Sequence, residues 1–205
     1  MAPEKQDEKK LPVPQKIKDR LYPIVLNFFA QNDFHQVNIR KISHASGVST
    51  RTMYKYFHSK EDLLLDVLEE KIGELKILTA MHGQGVKETK DRFYKAFWVA
   101  LDYYDRNPEL AITFFITVPT RTWMQRESYA RYDIHELLRQ IIKTGRERGD
   151  LDPNVDDAQI TGLYFMHMQR EVTIWYYRGQ QWKLVEAMRF FFPLFWKTIS
   201  APSQS

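Results

Sequence analysis

Residues 47 to 64 read GVSTRTMYKYFHSKEDLL, and the order of residue types in this stretch decides the fold. The glycine suits the left-handed position that follows a helix, and Val48 is placed to be the buried contact that fixes the turn. A short helix is then expected from Ser49 or Thr50 to about Phe57. We interpret Ser49 as the cap of this helix and not as a nucleophile, because no histidine and carboxylate accompany it at a suitable spacing.

The residues before the glycine predict another short helix. Asn38 is expected to cap it, with Ile42 and Ala45 facing inward. The outward face carries basic side chains: Arg40, Lys41 and His44. Two short helices joined by a turn of about three or four residues that contains glycine form a helix-turn-helix, whose second helix enters the major groove of DNA.

Upstream, an apolar stripe predicts a first helix that ends near residues 31 to 33. The stripe consists of Ile17, Leu21, Ile24, Val25, Phe28 and Phe29. Pro23 lies off it and either kinks the helix or marks its first turn, because an interior proline removes a hydrogen bond. Residues 1 to 16 contain three prolines and no apolar period, so they are expected to form a flexible arm.

Downstream, Ser59 is expected to cap a long helix that begins at Lys60 and ends near the segment MHGQGVKE, where Gly83 and Gly85 form a candidate hinge. Further helices are predicted at about residues 88–106, 108–118, 122–148, 156–178 and 182–199. The sequence shows no β pattern, so the expected fold class is all-α. The expected domains are a flexible arm at 1–16, a helix-turn-helix domain at 17–62 and a larger helical domain at 63–205.

The charge is unevenly distributed along the 205 residues, which together carry +4. The first 60 residues carry +6 and the remainder −2, which favours a polyanion-binding module, although a basic tail that aids solubility gives the same pattern. The absence of cysteine excludes disulfides, thiolate metal ligands and a cysteine nucleophile. A charged start and no bilayer-length apolar run predict a cytoplasmic protein without membrane contact.

Three motifs in this order, FFAQNDF, NIRKISHASGVSTRTMYKYF and SKEDLL, resemble the amino-terminal domain of the TetR family of transcriptional regulators. The resemblance covers residues 17 to 68 and departs from the family at two positions, since Arg51 stands where many members have glycine and Pro23 lies inside the first helix. It implies a DNA-binding domain followed by an effector-binding and dimerisation domain. The expected function is a homodimeric regulator, usually a repressor in this family, that binds a palindromic operator on double-stranded DNA and is released by a small-molecule effector.

The third helix is expected to present a polar face to DNA while Met53 and Phe57 point at the core. Arg51 can form paired hydrogen bonds with guanine, and threonines can contact base edges or a thymine methyl. The resemblance assigns the hydroxyls of Tyr54 and Tyr56 to phosphates and Arg40 to a base. Lys60 lies at the start of the fourth helix, where a phosphate is favoured. The candidate DNA-binding residues are Arg40, Ser49, Thr50, Arg51, Thr52, Tyr54, Lys55, Tyr56 and Lys60. Taken singly, each could instead be a packing residue or part of a solvated face.

In the larger domain, the resemblance implies that the last two long helices pair with those of a second subunit and that the middle helices enclose a ligand. The segments YFMHMQREVTIWYY and FFFPLFW are apolar enough to form the dimer interface. The candidate effector-binding residues are Phe97, Leu101, Tyr104, Phe115, Trp123, Tyr164 and His167. Their aromatic character favours a largely apolar or cationic-aromatic effector, although a deep core would look the same.

Catalysis is not expected, because the sequence contains no phosphate loop, nucleophile elbow or metal constellation. His167 and Glu171 lie one helical turn apart but supply too few ligands for a metal, and an interfacial hydrogen bond explains the pair. No cofactor is expected. The alternative function is a protein-interaction module that has kept the fold without binding DNA.

Overall fold

The structure, a computed structural model, describes residues 11–119 and 131–202. These residues form α-helices and short 3₁₀ or π turns, without a β-strand, so the expected all-α fold is confirmed. The helices are α1 (Gln15–Gln31), α2 (Ile39–Ser46), α3 (Thr50–Tyr56), α4 (Lys60–Gly83), α5 (Thr89–Arg106), α6 (Pro108–Ile112), α7 (Arg131–Arg148), α8 (Asp157–Tyr177) and α9 (Met188–Ile199). In the described ranges, none of them is both long and apolar enough to cross a bilayer.

The chain divides into two compact units, residues 1–67 and 68–205. The division falls inside α4, so one continuous helix contributes its first residues to the amino-terminal unit and the rest to the carboxy-terminal unit. The boundary expected from the sequence, after residue 62, lies in the same helix. Of the expected arm at 1–16, residues 1–10 lie outside the described residues, and α1 begins at Gln15.

Helix α1 places Pro23 in its interior. Because the helix begins at Gln15, Pro23 does not mark the first turn, and the side chain lies exposed on the outer face. The opposite face is buried and supplies Leu21, Tyr22, Val25, Leu26 and Phe29. The helix accommodates the proline because an exposed position requires only the loss of one backbone hydrogen bond and a local adjustment of the preceding turn.

The turn between α2 and α3 has the geometry that the sequence predicts. Gly47 adopts φ 63°, Val48 is buried, and the Ser43 hydroxyl donates to the Val48 carbonyl at 2.8 Å. The inward position assigned to Ala45 is wrong, because Ala45 is exposed and Ser46 is buried instead. Ser46 Oγ accepts a hydrogen bond from the Val48 amide at 3.2 Å, so the buried hydroxyl helps to close the turn.

We expect Gly47→Ala to lower the free energy of unfolding by about 1–2 kcal/mol, the cost of placing an L residue in the left-handed region. A Cβ at this position would also lie 2.4 Å from Nη2 of Arg20, which donates to the Gly47 carbonyl at 2.9 Å. Urea denaturation followed by circular dichroism measures the change.

Gly73→Ala is the matched control for this measurement. Gly73 lies inside α4, does not have a positive φ, and has open space where an alanine Cβ would stand, with no heavy atom of a neighbouring group within 4 Å. Alanine there should stabilise the helix by about 0.5–1 kcal/mol. If the two substitutions changed the free energy of unfolding equally, the left-handed conformation at position 47 would not require glycine.

The carboxy-terminal unit is packed around aromatic side chains of α5, α8 and α9. Phe93 and Phe97 on α5 meet Phe195 on α9 at ring centroid distances of 5.3 and 4.9 Å, and all three are fully buried. The helix predicted from about 182 begins later, because residues Leu184–Ala187 form a 3₁₀ turn before α9. The Asp105 carboxylate holds this turn by accepting from the amides of Leu184 and Val185 at 2.6 and 3.1 Å.

Candidate nucleic-acid interface and effector region

Helix α3 has a buried side that fixes it to the amino-terminal unit and an outer side that remains polar. Met53 and Phe57 are almost completely buried, as predicted. The opposite side exposes Arg51, Tyr54 and Lys55. This division allows the backbone of the helix to be held rigidly while several side chains remain available for a partner.

Ser49 caps α3, as the sequence predicts. Its Oγ accepts from the Thr52 amide at 3.1 Å and lies 2.8 Å from the Thr52 hydroxyl. The Ser49 and Thr52 hydroxyls therefore use part of their hydrogen-bonding capacity on each other. Thr50 and Arg51 are the less constrained residues of the first turn. In the described part of the chain, the Arg51 guanidinium has no hydrogen bond or ion pair of its own, and the same holds for the exposed Arg40 guanidinium.

The two tyrosines of α3 differ in exposure, which the sequence pattern does not reveal. Tyr54 is 59% exposed, whereas Tyr56 is only 9% exposed and packs against Phe57. The Lys55 ammonium lies 5.4 Å from the centre of the Tyr56 ring. Tyr54 is therefore better placed than Tyr56 to extend a hydroxyl to a phosphate, and the assignment of Tyr56 to DNA stays a prediction.

Lys60 has intramolecular partners that the sequence does not indicate. Its Nζ donates to the carbonyls of Phe34 and Val37 at 2.8 and 3.3 Å and lies 4.8 Å from the centre of the Phe34 ring. These bonds fasten the start of α4 to the 3₁₀ turn Phe34–Gln36 that follows α1. Because an ammonium group has three donors, one remains for a phosphate while the two internal bonds are kept.

The amino terminus of α4 is capped by a side chain of the same unit. Ser59 Oγ accepts from the Asp62 amide at 3.0 Å, and the buried Asp62 carboxylate accepts from the His58 amide at 2.9 Å. A carboxylate in the first turn already interacts favourably with the positive end of the helix dipole. A phosphate contact by Lys60 would use the positive charge of its ammonium group.

The amino-terminal unit matches a known family. The family described as bacterial regulatory proteins, tetR family, matches residues 26–67, which run from the middle of α1 through α2 and α3 into α4. This part of the chain is therefore similar to the DNA-binding domain of TetR-family regulators. The match spans the capped turn and the whole polar face of α3, the part of this chain that is predicted to contact DNA.

Similar proteins extend the comparison into the carboxy-terminal unit. The fatty acid metabolism regulator protein of Bacillus subtilis (strain 168) is 26% identical over 164 residues, which are 76% of this chain and 81% of that protein. The fatty acid degradation regulator FadR from Bacillus halodurans has the same fold, with a TM-score of 0.81 and 20% identity over 91% of this chain and 96% of that chain. FadR from Bacillus subtilis, solved in complex with stearoyl-CoA, has a TM-score of 0.79 and 20% identity over 86% of this chain and 96% of that chain.

The names of these proteins agree with the functional class expected from the sequence. They are named as regulators, which is a non-enzymatic role, and residues 26–67 of this chain match a family of bacterial regulatory proteins. At the identities found, the likeness to the solved structures establishes the fold of the carboxy-terminal unit and not its ligand.

Three of the residues predicted to bind an effector lie together in one aromatic cluster. The rings of Phe97 and Tyr164 stack at 4.2 Å, and the Tyr164 hydroxyl donates to the Ala96 carbonyl at 3.3 Å. The His167 ring stacks on Phe191 at 5.2 Å. Burial raises the pKa of Tyr164, so this hydroxyl stays a donor.

Other predicted effector residues lie elsewhere. Tyr104 packs edge-on against Phe115 at 5.4 Å, and Leu101 is fully buried. Trp123 lies outside the described residues. Phe97, Leu101, Tyr104 and Tyr164 are buried in the core, and the contact of the predicted residues with an effector stays a prediction.

His167 is the one predicted effector residue with an unsatisfied polar atom among the described side chains. Its Nδ1 is buried without a hydrogen-bond partner, and burial lowers the pKa of the ring while Glu171 opposes that effect. The buried Glu171 pairs with Arg170. Burial therefore favours the neutral ring, and the interfacial hydrogen bond expected for His167 and Glu171 stays a prediction.

Proposed function

We propose that this chain is a TetR-family homodimeric repressor that binds a palindromic operator and is released by a small, largely apolar effector. The observation that carries the proposal is the capped α3, whose buried side is anchored by Met53 and Phe57 while Arg51 and Tyr54 remain exposed. In a dimer, two such helices would enter successive major grooves about 34–36 Å apart. We assign residues 17–62 to the DNA-binding domain and residues 63–205 to the effector-binding and dimerisation domain. Because DNA lies in the cytoplasm of a bacterium, the proposed role also implies a cytoplasmic protein.

The dimer is supported by an exposed apolar surface on α8 and α9. Phe190 and Leu194 lie one turn apart on α9 and are 66% and 63% exposed, and Met166 and Tyr177 on α8 are 56% and 84% exposed. Exposed large apolar side chains on two helices favour burial against a second protein surface. We therefore assign this face, Met166, Tyr177, Phe190 and Leu194, to the interface between two copies of the chain.

The proposed effector is a long-chain fatty acyl thioester. One relative is named for fatty acid metabolism and one solved structure for fatty acid degradation. A second solved structure contains stearoyl-CoA. Such a molecule satisfies the expected apolar character through its acyl chain, which can replace contacts within an aromatic and aliphatic interior.

Helix α4 is the element through which the effector would act. In the amino-terminal unit, the Tyr22 hydroxyl donates to the Asp66 carboxylate of α4, and in the carboxy-terminal unit the Tyr103 hydroxyl donates to Glu74 of the same helix at 2.6 Å. Each unit therefore has its own attachment to α4. An effector weakens DNA binding if it binds more tightly to the conformation in which the two α3 helices of the dimer are wrongly spaced for the operator. DNA then weakens effector binding by the same factor.

We expect Arg51→Ala to reduce discrimination between operator and scrambled DNA by about 1–3 kcal/mol, the contribution of one bidentate contact to a base. The operator is first selected from random duplexes with the wild-type protein. Fluorescence anisotropy then measures the affinity of both duplexes at several salt concentrations. Arg51→Lys is the matched variant, because it keeps the charge but loses the planar fork, and it should lose discrimination while keeping the salt dependence.

Equal losses on operator and scrambled DNA would contradict the assignment of Arg51 to a base. The same salt titration tests the alternative function, a protein-interaction module without DNA binding. For a DNA-binding protein, log K falls with log salt by about 0.9 per neutralised phosphate. A flat response in the wild-type protein would favour the interaction module.

A further inference from the structure

A cavity of about 230 Å³ lies in the carboxy-terminal unit, where the end of α4 meets α5 and α7. Two basic residues of α5, Arg92 and Lys95, lie on its lining, and no carboxylate shares that lining. Their spacing of three residues places both on one face of the helix. The described cavity therefore has a positively charged wall.

The two cations have no carboxylate partner among the described residues. Arg92 Nη1 donates to the Thr144 hydroxyl at 3.1 Å, and Lys95 Nζ lies 5.3 Å from the centre of the Trp98 ring. By contrast, five other arginines of this unit make ion pairs with carboxylates: Arg106, Arg139, Arg146, Arg148 and Arg170. Arg92 and Lys95 thus retain donors that the chain itself does not occupy.

Two carbonyls at the end of α4 already accept hydrogen bonds from the backbone, so they do not require these cations as partners. The carbonyls of Met81 and Gly83 accept from the backbone amides of Gln84 and Val86, each at 3.3 Å. Arg92 donates to Thr144 and not to these carbonyls. A guanidinium and an ammonium on one cavity wall repel each other, so an anion between them would relieve that repulsion.

The buried part of the remaining lining is mostly apolar, and its one described hydroxyl, on Thr79, donates to the Leu75 carbonyl at 2.8 Å. Ala96 and Ile141 are buried there, next to the exposed amides of Gln84 and Gln140 at the outer side. The cavity is smaller than the roughly 300–1,000 Å³ of sites that enclose a whole drug-sized ligand. It therefore suits one end of a larger amphiphilic molecule.

We propose that this cavity binds the anionic head group of the effector, with phosphate or carboxylate oxygens held between Arg92 and Lys95. The first carbons of the chain would then lie against Ala96 and Ile141. The proposal rests on the effector class assigned above. Because Gly83 and Gly85 also line the cavity, head-group binding acts directly on the turn that ends α4, the helix shared by both units.

Isothermal titration calorimetry of the full chain with stearoyl-CoA, stearate and free coenzyme A tests the proposal. We expect Arg92→Gln and Lys95→Gln each to weaken stearoyl-CoA binding about tenfold, because each removes one charge-assisted contact. The double variant should weaken it by about a hundredfold if the two contacts are independent. Thermal unfolding and operator binding are measured on every variant to show that the fold and the DNA interface are retained.

Lys90→Gln is the matched control, since Lys90 is an exposed lysine on α5 outside the cavity lining. It should leave all affinities unchanged. A loss confined to the two CoA ligands assigns the cations to phosphate, and a matching loss for stearate assigns them to a carboxylate; both results support an anion site. If wild type and the double variant bind stearoyl-CoA equally, the head-group site is wrong while the proposed function stands. If wild type binds none of the three probes, both the effector class and the head-group site are overturned.

Discussion

A chain in which Phe190 and Leu194 are both replaced by glutamate is expected to be a monomer that no longer binds its operator. Both side chains are more than half exposed on α9 and belong to the proposed interface. In a two-fold dimer each residue is buried twice, once per protomer. With about 1.5 kcal/mol or more for each buried side chain, the dimer loses about 6 kcal/mol and its Kd rises by about ten-thousandfold. The introduced carboxylates add a desolvation cost to this loss.

Sedimentation velocity at micromolar concentrations measures the oligomeric state, and anisotropy with the selected operator measures the loss of DNA binding. Ile77→Glu is the matched control, because Ile77 on α4 is 61% exposed but lies outside the proposed interface. The control should remain dimeric. A wild-type protein that sediments as a monomer, or a double variant that stays dimeric, would remove the basis for the assigned interface.

Phe97→Ala is expected to lower the free energy of unfolding of the carboxy-terminal unit by about 3–5 kcal/mol, the usual cost of removing a buried phenylalanine. Phe97 is fully buried, and its ring contacts those of Tyr164, Phe191 and Phe195 at 4.2, 5.0 and 4.9 Å. The cost combines lost transfer free energy with the cavity that rigid neighbours leave behind. Guanidinium denaturation without effector measures the change.

The same substitution decides between the core and effector interpretations of Phe97. Phe97→Leu, which retains most of the apolar volume, should cost less than about 1.5 kcal/mol if the neighbouring rings can repack. A destabilisation of Phe97→Ala below about 1 kcal/mol, outside the range of buried aromatic truncations, would show that the cluster opens easily. Phe97 would then line a space for the effector, and stearoyl-CoA affinity should fall instead of stability.

In the amino-terminal unit, local sequence patterns correctly predicted the helix caps and the turn at Gly47. Asn38, Ser49 and Ser59 cap α2, α3 and α4 as predicted, through hydrogen bonds to amides two or three residues away. Gly47 adopts the left-handed conformation that the order of residues requires. These features could be predicted because a capping side chain and its amide are close in sequence, so their spacing alone determines whether they can meet.

Sequence patterns did not predict the burial of Tyr56 at the candidate DNA interface or the surroundings of Arg92 in the cavity. The alternation of Tyr54 and Tyr56 suggests two equivalent hydroxyls, but packing against Phe57 buries the second ring. The spacing of Arg92 and Lys95 is visible in the sequence. The lack of a carboxylate partner for Arg92 among the described residues is not. Other arginines of this unit find acidic partners through folding, as Arg148 does with Glu88, 60 residues away.

The sequence by itself determined the helix-turn-helix, the caps of its helices, the division between the buried and outer sides of α3 and the all-α class. Only the tertiary structure decided that Lys60 bonds to the Phe34 carbonyl, 26 residues distant, and that Asp105 holds the amides of Leu184 and Val185, 79 and 80 residues distant. Bonds within one helical turn follow from backbone geometry, which is the same in every helix. Bonds between distant residues depend on how whole helices pack, and no spacing along the chain encodes that arrangement.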